Sequence, residues 1–484
     1  MNRSRAFLMF LLIATALSFR SASAQLTLEN AIEATEQTVR FYREDVGVEG
    51  GYVYAVSEDL KQREGENRVG PREVWIQPPA TPAVGRMYLR NWQLTQLPVF
   101  RDAMLETADA LIRGQLESGG WGNNIEFDPL LRDRYAYRAD HHTEIGKRRN
   151  RTTFDDNKSQ SCLEFLMLVD RELEFQNELI HQTALSALDA FEKAQYPNGA
   201  WPQQYAEFPN PSDSPVMNAR FPETWSRTFP RKSYSQFYTL NDNTICDLIE
   251  LMLTAHAVYE ESRWLNCAKR GGDFLLRAQL PEPQPGWAQQ YNREMEPAWA
   301  RKFEPPAITG GESQQVMRTL MTVYDVTGDE KYLKPIPRAL EYYRSLELED
   351  GRLARFYEIG TDKPLYFTKD YKLVYRDDEM PTHYAFKVGS KLDRLEREYR
   401  RLEDRGASRE WNLPLPKAPR MNEGLRTSAQ RLIDERDDRG AWVERGELRT
   451  FPDSEQSGRL IDTRTYLNNL SKLADFIAAA QNEN

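Results

Sequence analysis

ALDAFEKAQYPNGAWPQQY, residues 187–205, runs from an amphipathic segment through a short turn of Pro, Asn and Gly to a tryptophan, Trp201. The same order returns as ALIRGQLESGGWG at 110–122, with Trp121, and as FLLRAQLPEPQPGWAQQY at 274–291, with Trp287. YYRSLELEDGRLARFY at 342–357 keeps the turn but puts Leu353 at the tryptophan position, and RLIDERDDRGAWVERG at 431–446 carries Trp442. Successive copies are 80, 86, 66 and 89 residues apart. Those spacings are too long and uneven for a small solenoid repeat; they suit a helical hairpin plus a long loop, repeated around a ring. The fold expected is all-α, an (α/α) toroid or barrel of repeated helical hairpins whose turn ends gather on one face.

Outward from these copies, residues 26–48 read as a helix, and residues 50–95 look looser, with Gly, several Pro and short Val/Tyr runs. From Pro98 onward apolar residues recur at steps of three and four, with Gly and Pro clusters between the segments. The organisation expected is a signal peptide at 1–24, an N-terminal helix and irregular arm at 25–97, and the toroid at 98–484. Residues 1–24 have basic Arg3 and Arg5, a short apolar stretch at 6–19 and SASA before Gln25, the pattern of a cleaved export signal. A secreted or periplasmic location follows, with no membrane association after cleavage.

Removing the signal takes away Arg3, Arg5 and Arg20 and no acid, so the formal charge moves from −10 to −13. Such a chain is a poor generic binder of nucleic acid, and it gains no long-range attraction for an anionic polymer. An acidic substrate must be held by a local basic cluster or a metal ion. Cys162, Cys246 and Cys267 each fall in a helical pattern and read as buried thiols rather than a disulfide framework. The chain is taken as a monomer.

Three constellations can carry chemistry. TTFDDN, Thr152 to Asn157, stands before a helix; its Asp and Asn can cap that helix, but two adjacent carboxylates exceed what a cap requires. LNDNTICDL repeats the arrangement with Asp242 at a second helix start. Oxygen ligands of this kind suit Ca²⁺, and two such helix starts in a toroid can converge on one ion. EPAWARKFEPPAITGGES, residues 296–313, holds Arg301 in a loop stiffened by paired prolines. An arginine fork suits a carboxylate; the alternative is an ion pair with Glu296 or Glu304. Trp201 and Trp287 could present flat faces to sugar rings, with Gln203, Gln204 and Gln289 reaching hydroxyls; the alternative for the tryptophans is core packing at the helix turn. The basic run KRRNR at 147–151 leads directly into Asp155.

TTFDD, AQYPNGAWPQQY, LNDN, WAQQY, EPAWARKFEPPAITGGES and GRLARFYEIGTDKPLYF, in that order, resemble the polysaccharide lyase family 10 pectate lyases, over roughly residues 110–390. The resemblance implies an (α/α) toroid, Ca²⁺-dependent β-elimination on an acidic, pectate-like polysaccharide, Asp155 and Asp242 as calcium ligands, and Arg301 as the catalytic arginine. It makes Asp156 the counterpart of a substrate-side Asn beside the first aspartate. Lys369 stands where the family has a substrate-binding Arg, and Met380 and Pro381 where it has further arginines. Lysine pairs with a carboxylate without the bidentate fork. The competing expectations are a glycan-binding protein without catalysis, and a glycoside hydrolase using Asp155 and Asp156 as its carboxylate pair.

Overall fold

The computed structural model describes residues 26–483 except 211, 213 and 214; the expected signal peptide therefore lies outside the described residues. The helices are α1 (Leu28–Phe41), α2 (Thr81–Thr95), α3 (Pro98–Gly114), the single turn α4 (Pro129–Arg132), α5 (Lys158–Glu172), α6 (Glu178–Lys193) and α7 (Thr244–Tyr259). They continue with α8 (Ser262–Arg277), α9 (Glu312–Thr327), α10 (Ile336–Ser345), α11 (Leu392–Arg405), α12 (Glu423–Asp434) and α13 (Thr463–Gln481). Helices α13, α2, α5, α7 and α9 lie side by side as an inner layer, with α11 beside α9. Outside them α3 packs on α2, α6 on α5, α8 on α7, and both α1 and α12 on α13. The architecture is the expected (α/α) toroid.

Composition separates the layers. Inner α7 buries Ile245, Cys246, Leu248, Ile249, Leu251, Met252, Leu253 and Ala255, which spread round most of its circumference. Outer α8 buries one stripe, including Trp264, Cys267, Ala268, Gly271 and Phe274. A helix enclosed by neighbours is apolar almost all round, whereas a helix facing water keeps a single apolar face. All three cysteines are buried free thiols. Within the stretch read as an irregular arm, Ala55–Ser57, Arg63–Glu64 and Glu73–Trp75 are short strands, but Thr81–Thr95 is a full inner helix. Its prolines disguise it: Pro82 sits in the first turn, where no backbone N–H is needed.

The repeated motif now has a physical meaning. Around α5, α7 and α9 a short strand leads into the inner helix, the chain returns along an outer helix, turns at the tryptophan or at Leu353, and leaves on a strand that pairs antiparallel with the first. Thr152–Thr153 pairs with Gln204–Tyr205, Tyr238–Thr239 with Gln290–Tyr291, and Ile308–Thr309 with Phe356–Tyr357, all in one register. The tryptophans lock the turn onto the outer helix. The indole Nε1 of Trp121, Trp201, Trp287 and Trp442 donates to the carbonyls of Leu111, Phe191, Leu275 and Leu432, each at 2.8 Å. In the copy with Leu353, the indole bond is absent and the Tyr357 hydroxyl donates to Leu346 O at 2.8 Å, as the matching Tyr291 donates to Ala278 O beside Trp287. Each bond satisfies a carbonyl left free where a helix ends.

Candidate active site and metal centre

The leading strands place two matching turns side by side at the starts of α5 and α7. In each, consecutive residues take the left-handed conformation: Asp156 and Asn157 at φ 52° and 58°, Asp242 and Asn243 at φ 48° and 61°. Asp and Asn are among the few residues with a side chain that adopt this region readily. Neither Asn157 nor Asn243 caps its helix with its side chain, so capping does not account for these residues. The carboxylates of Asp155, Asp156 and Asp242 instead turn to one another, with one oxygen of each within 4.8 Å of the others.

That spacing fits a calcium ion. Oxygens bound to one Ca²⁺ at 2.3–2.6 Å lie at most about 5 Å apart, and the donors are the hard carboxylate oxygens the ion prefers. Asp156, expected beside the metal aspartates as a substrate contact, is one of the three. The crowding has an electrostatic consequence. Burial, followed by repulsion from Asp156 and Asp155 and opposed by Arg301, pushes Asp242 up to about 7. Burial likewise raises Asp155, against the attraction of Lys158. A glycoside hydrolase needs its two carboxylates ~5–9.5 Å apart across the scissile bond; these have one oxygen each within 4.8 Å, a spacing that suits a shared ion.

Arg301 joins the cluster from its rigid loop. Its Nη2 lies 3.3 Å from Asp242 Oδ2, and its Nε donates to Glu304 Oε1 at 2.9 Å. Glu304 is fully buried and also accepts from the Arg301 backbone N–H at 3.0 Å and the Tyr384 hydroxyl at 3.0 Å. Burial alone would lower the guanidinium pKa; Glu304 and Asp242 outweigh it and hold Arg301 above its ordinary value. The ion pair with Glu304, the structural alternative for Arg301, is thus present. Glu296 pairs with Arg220 instead.

The glutamines act as supports. Gln203 Nε2 donates to Asp155 Oδ1 at 2.8 Å, and Gln289, at the matching position of the next copy, donates to Asn241 Oδ1 and to Tyr384 Oη. Both side chains are buried and orient the turns. Gln204 is half-buried and lines the groove beside Arg301. The sugar-platform expectation for Trp201 and Trp287 is corrected: both are fully buried with their indoles committed to the backbone, so neither offers a face to a ligand. Lys369 is corrected too. It stands exposed at a hairpin tip and does not line the groove; Lys372 and Tyr371 do. Met380 packs against the core and Pro381 is buried, and the same segment delivers Tyr384 to Glu304. Sequence reasoning missed Arg355 and Glu312. Arg355 Nη1 lies 3.0 Å from Glu312 Oε1, and its guanidinium is 4.8 Å from the Tyr384 ring centre. Glu312 opens α9 three residues after Thr309, as Asp156 and Asp242 follow Thr153 and Thr239, so the register of the repeat was the signal that pointed to it.

Three connected hollows form one groove across this face. The first, of ≈ 730 Å³, shares Arg151 and Gln204 with the second, of ≈ 620 Å³, which contains Arg301. The third, of ≈ 690 Å³, shares Phe229, Arg231 and Lys302 with the second. Its lining is rich in cations, among them Arg148, Arg149, Arg151, Arg231, Lys232 and Lys372, and Glu207 is the single acid among the described lining residues.

The helical toroid thus carries a carboxylate–guanidinium cluster whose Arg301 lines a groove rich in cations. The sequence model of the pectic acid lyases matches residues 115–353, a little under half of the chain, and supports a polysaccharide lyase. Similar solved structures include the family 10 polysaccharide lyase from Cellvibrio cellulosa, 19% identical, covering 66% of this chain and 96% of that one, with a TM-score of 0.46. A mutant of that lyase in complex with trigalacturonic acid is 18% identical over 67% of this chain and 98% of that one, with a TM-score of 0.45. Cellobiose 2-epimerase from Bacillus thermoamylovorans B4167 is 13% identical over 93% of this chain and 97% of that one, with a TM-score of 0.43. A comparison with curated proteins finds no match.

Proposed function

We propose that this chain is an exported, Ca²⁺-dependent lyase that cleaves pectate-like uronate polymers by β-elimination. The observation that carries the reading is the convergence of Asp155, Asp156 and Asp242 within 4.8 Å of one another, with Arg301 seated on Asp242. The basic–apolar–small pattern of residues 1–24 supports export.

The reaction removes the proton alpha to a uronate carboxyl group and expels the glycosidic oxygen as the double bond forms. Negative charge grows on that carboxyl group, so the site must set positive charge against it. Asp155, Asp156 and Asp242 would hold the calcium ion, which supplies Lewis-acid polarisation of the substrate carboxylate when bound. Arg301, kept charged by Glu304 and Asp242, is suited to stabilising the enolate rather than to taking the proton. A base of ordinary arginine strength would need a pKa well below ~12, and its two carboxylate partners act the other way. Hydroxide then takes the proton, and the rate rises toward alkaline pH. Buried Glu304 holds the guanidinium in place, and Gln203 and Gln289 hold the turns. The cationic groove on either side binds the flanking uronates.

Incubation with polygalacturonate and Ca²⁺ is expected to generate the ultraviolet absorbance of an unsaturated product, and a chelator is expected to abolish it. Reducing ends released without that absorbance would show hydrolysis instead. Activity indifferent to chelation would remove the metal from the reading.

A further inference from the structure

Lys158 is the first residue of α5 and follows directly on the Asp155–Asp156–Asn157 turn. Its side chain is only 3% exposed, and Nζ lies 3.3 Å from Asp156 Oδ2 and 4.0 Å from Asp155 Oδ2. The turn itself does not call for a lysine. At the matching position of the second turn stands Thr244, which closes the same geometry by donating from Oγ1 to Asn241 O at 2.9 Å. An ammonium out of contact with water is costly unless paired with negative charge. Here that charge is the very cluster that fits a metal ion.

We propose that Lys158 is a resident cation of the carboxylate cluster that competes with Ca²⁺ and keeps its affinity low. The inference rests on the calcium reading above. Three carboxylates alone would present the ion with three negative charges. Lys158 and Arg301, both in contact with the cluster, leave a formal −1. Calcium entering the cluster must displace the ammonium from Asp156 or bear its repulsion at close range. Either way the free energy of binding falls, and it falls through this one residue rather than through the ligands.

The test is a calorimetric Ca²⁺ titration of the purified protein and of Lys158→Thr, Lys158→Met and Lys158→Arg, with circular dichroism as the folding control. Threonine is the residue the second turn already uses, and methionine keeps the length of the stem; a variant that does not fold leaves the other to report. Loss of the charge is expected to tighten calcium binding at least about tenfold, while Lys158→Arg stays near the wild-type affinity. Unchanged or weaker calcium binding in the folded Thr or Met variant, with wild type still binding, would overturn the role of Lys158 and leave the metal site standing. If neither wild type nor the neutral variants bind calcium, this inference falls together with the calcium reading.

Discussion

At the scale of single residues, Arg301 carries the largest expectation. Its guanidinium touches Asp242 and the fully buried Glu304 at once. Arg301→Ala should therefore lower turnover by two orders of magnitude or more, the size of effect seen when one transition-state donor is removed. It should also cost stability, on the order of 1–2 kcal/mol, because buried Glu304 loses its charged partner and keeps only neutral donors, the backbone N–H, Tyr384 and a long contact from Gln289. The cost stays modest since the arginine side chain is 40% exposed and screened by water. Arg301→Lys restores the charge but not the fork that spans two carboxylates, so stability should recover in part and turnover should not. Rates and melting temperatures measured on both variants check this, and an active Arg301→Ala enzyme would remove Arg301 from the mechanism.

At the scale of elements, the tryptophan turns and the inner helices make different predictions. Trp201→Phe keeps the ring and deletes the bond to Phe191 O, leaving a buried carbonyl unpaired. The expected cost is about 1–3 kcal/mol in denaturant unfolding, with KM for substrate unchanged; a raised KM at full stability would restore the sugar-platform reading. On α7, Asp247 is pushed up to about 8, first by burial and then by Glu250 one turn on, against Arg318 of α9, with Glu164 of α5 adding to the repulsion. An acid with a raised folded-state pKa binds its proton more tightly folded than unfolded. Its contribution is full below the ordinary ~3.9 and is lost as pH rises through about 8. Asp247→Asn should therefore melt with wild type near pH ~4 and above it at pH ~9; a pH-independent difference would contradict the assignment. These elements also show what the sequence made legible. The recurring Gly–Trp turn predicted the toroid because each copy must perform the same structural task, and the two Asp-Asn helix starts announced the turns that bring the carboxylates together. The role of the tryptophans was not legible, since an indole over a sugar and an indole bonded to a helix carbonyl leave the same letter in the chain. Lys158 and Glu312 were hidden for the opposite reason. Lys158 takes its meaning from Asp155 and Asp156 only once their turn is set against Asp242, and Glu312 takes its meaning from Arg355, 43 positions on.

At the scale of the whole molecule, the distribution of charge decides how the polymer arrives. A chain of net charge −10 repels a polyanion at long range, and ions screen that repulsion beyond about 8 Å at physiological salt. Attraction must come from the groove itself, where Arg151, Arg231 and Lys232 are exposed along the hollow that holds Arg301. None of the three is buried, so replacing all three by alanine should leave the melting temperature nearly unchanged. None belongs to the carboxylate cluster, so binding lost from them is lost equally from ground and transition states. KM for long polygalacturonate should then rise tenfold or more with kcat nearly constant. Salt separates this from a general effect of surface charge. Wild-type KM should climb with ionic strength as the groove contacts are screened, whereas the triple variant, with those contacts gone, should show a flatter dependence. Short uronate oligomers that do not reach past Arg301 should feel the substitution less than long chains do. Equal KM values for the triple variant and wild type on the long polymer, at low salt, would mean that the chain is threaded elsewhere on the toroid.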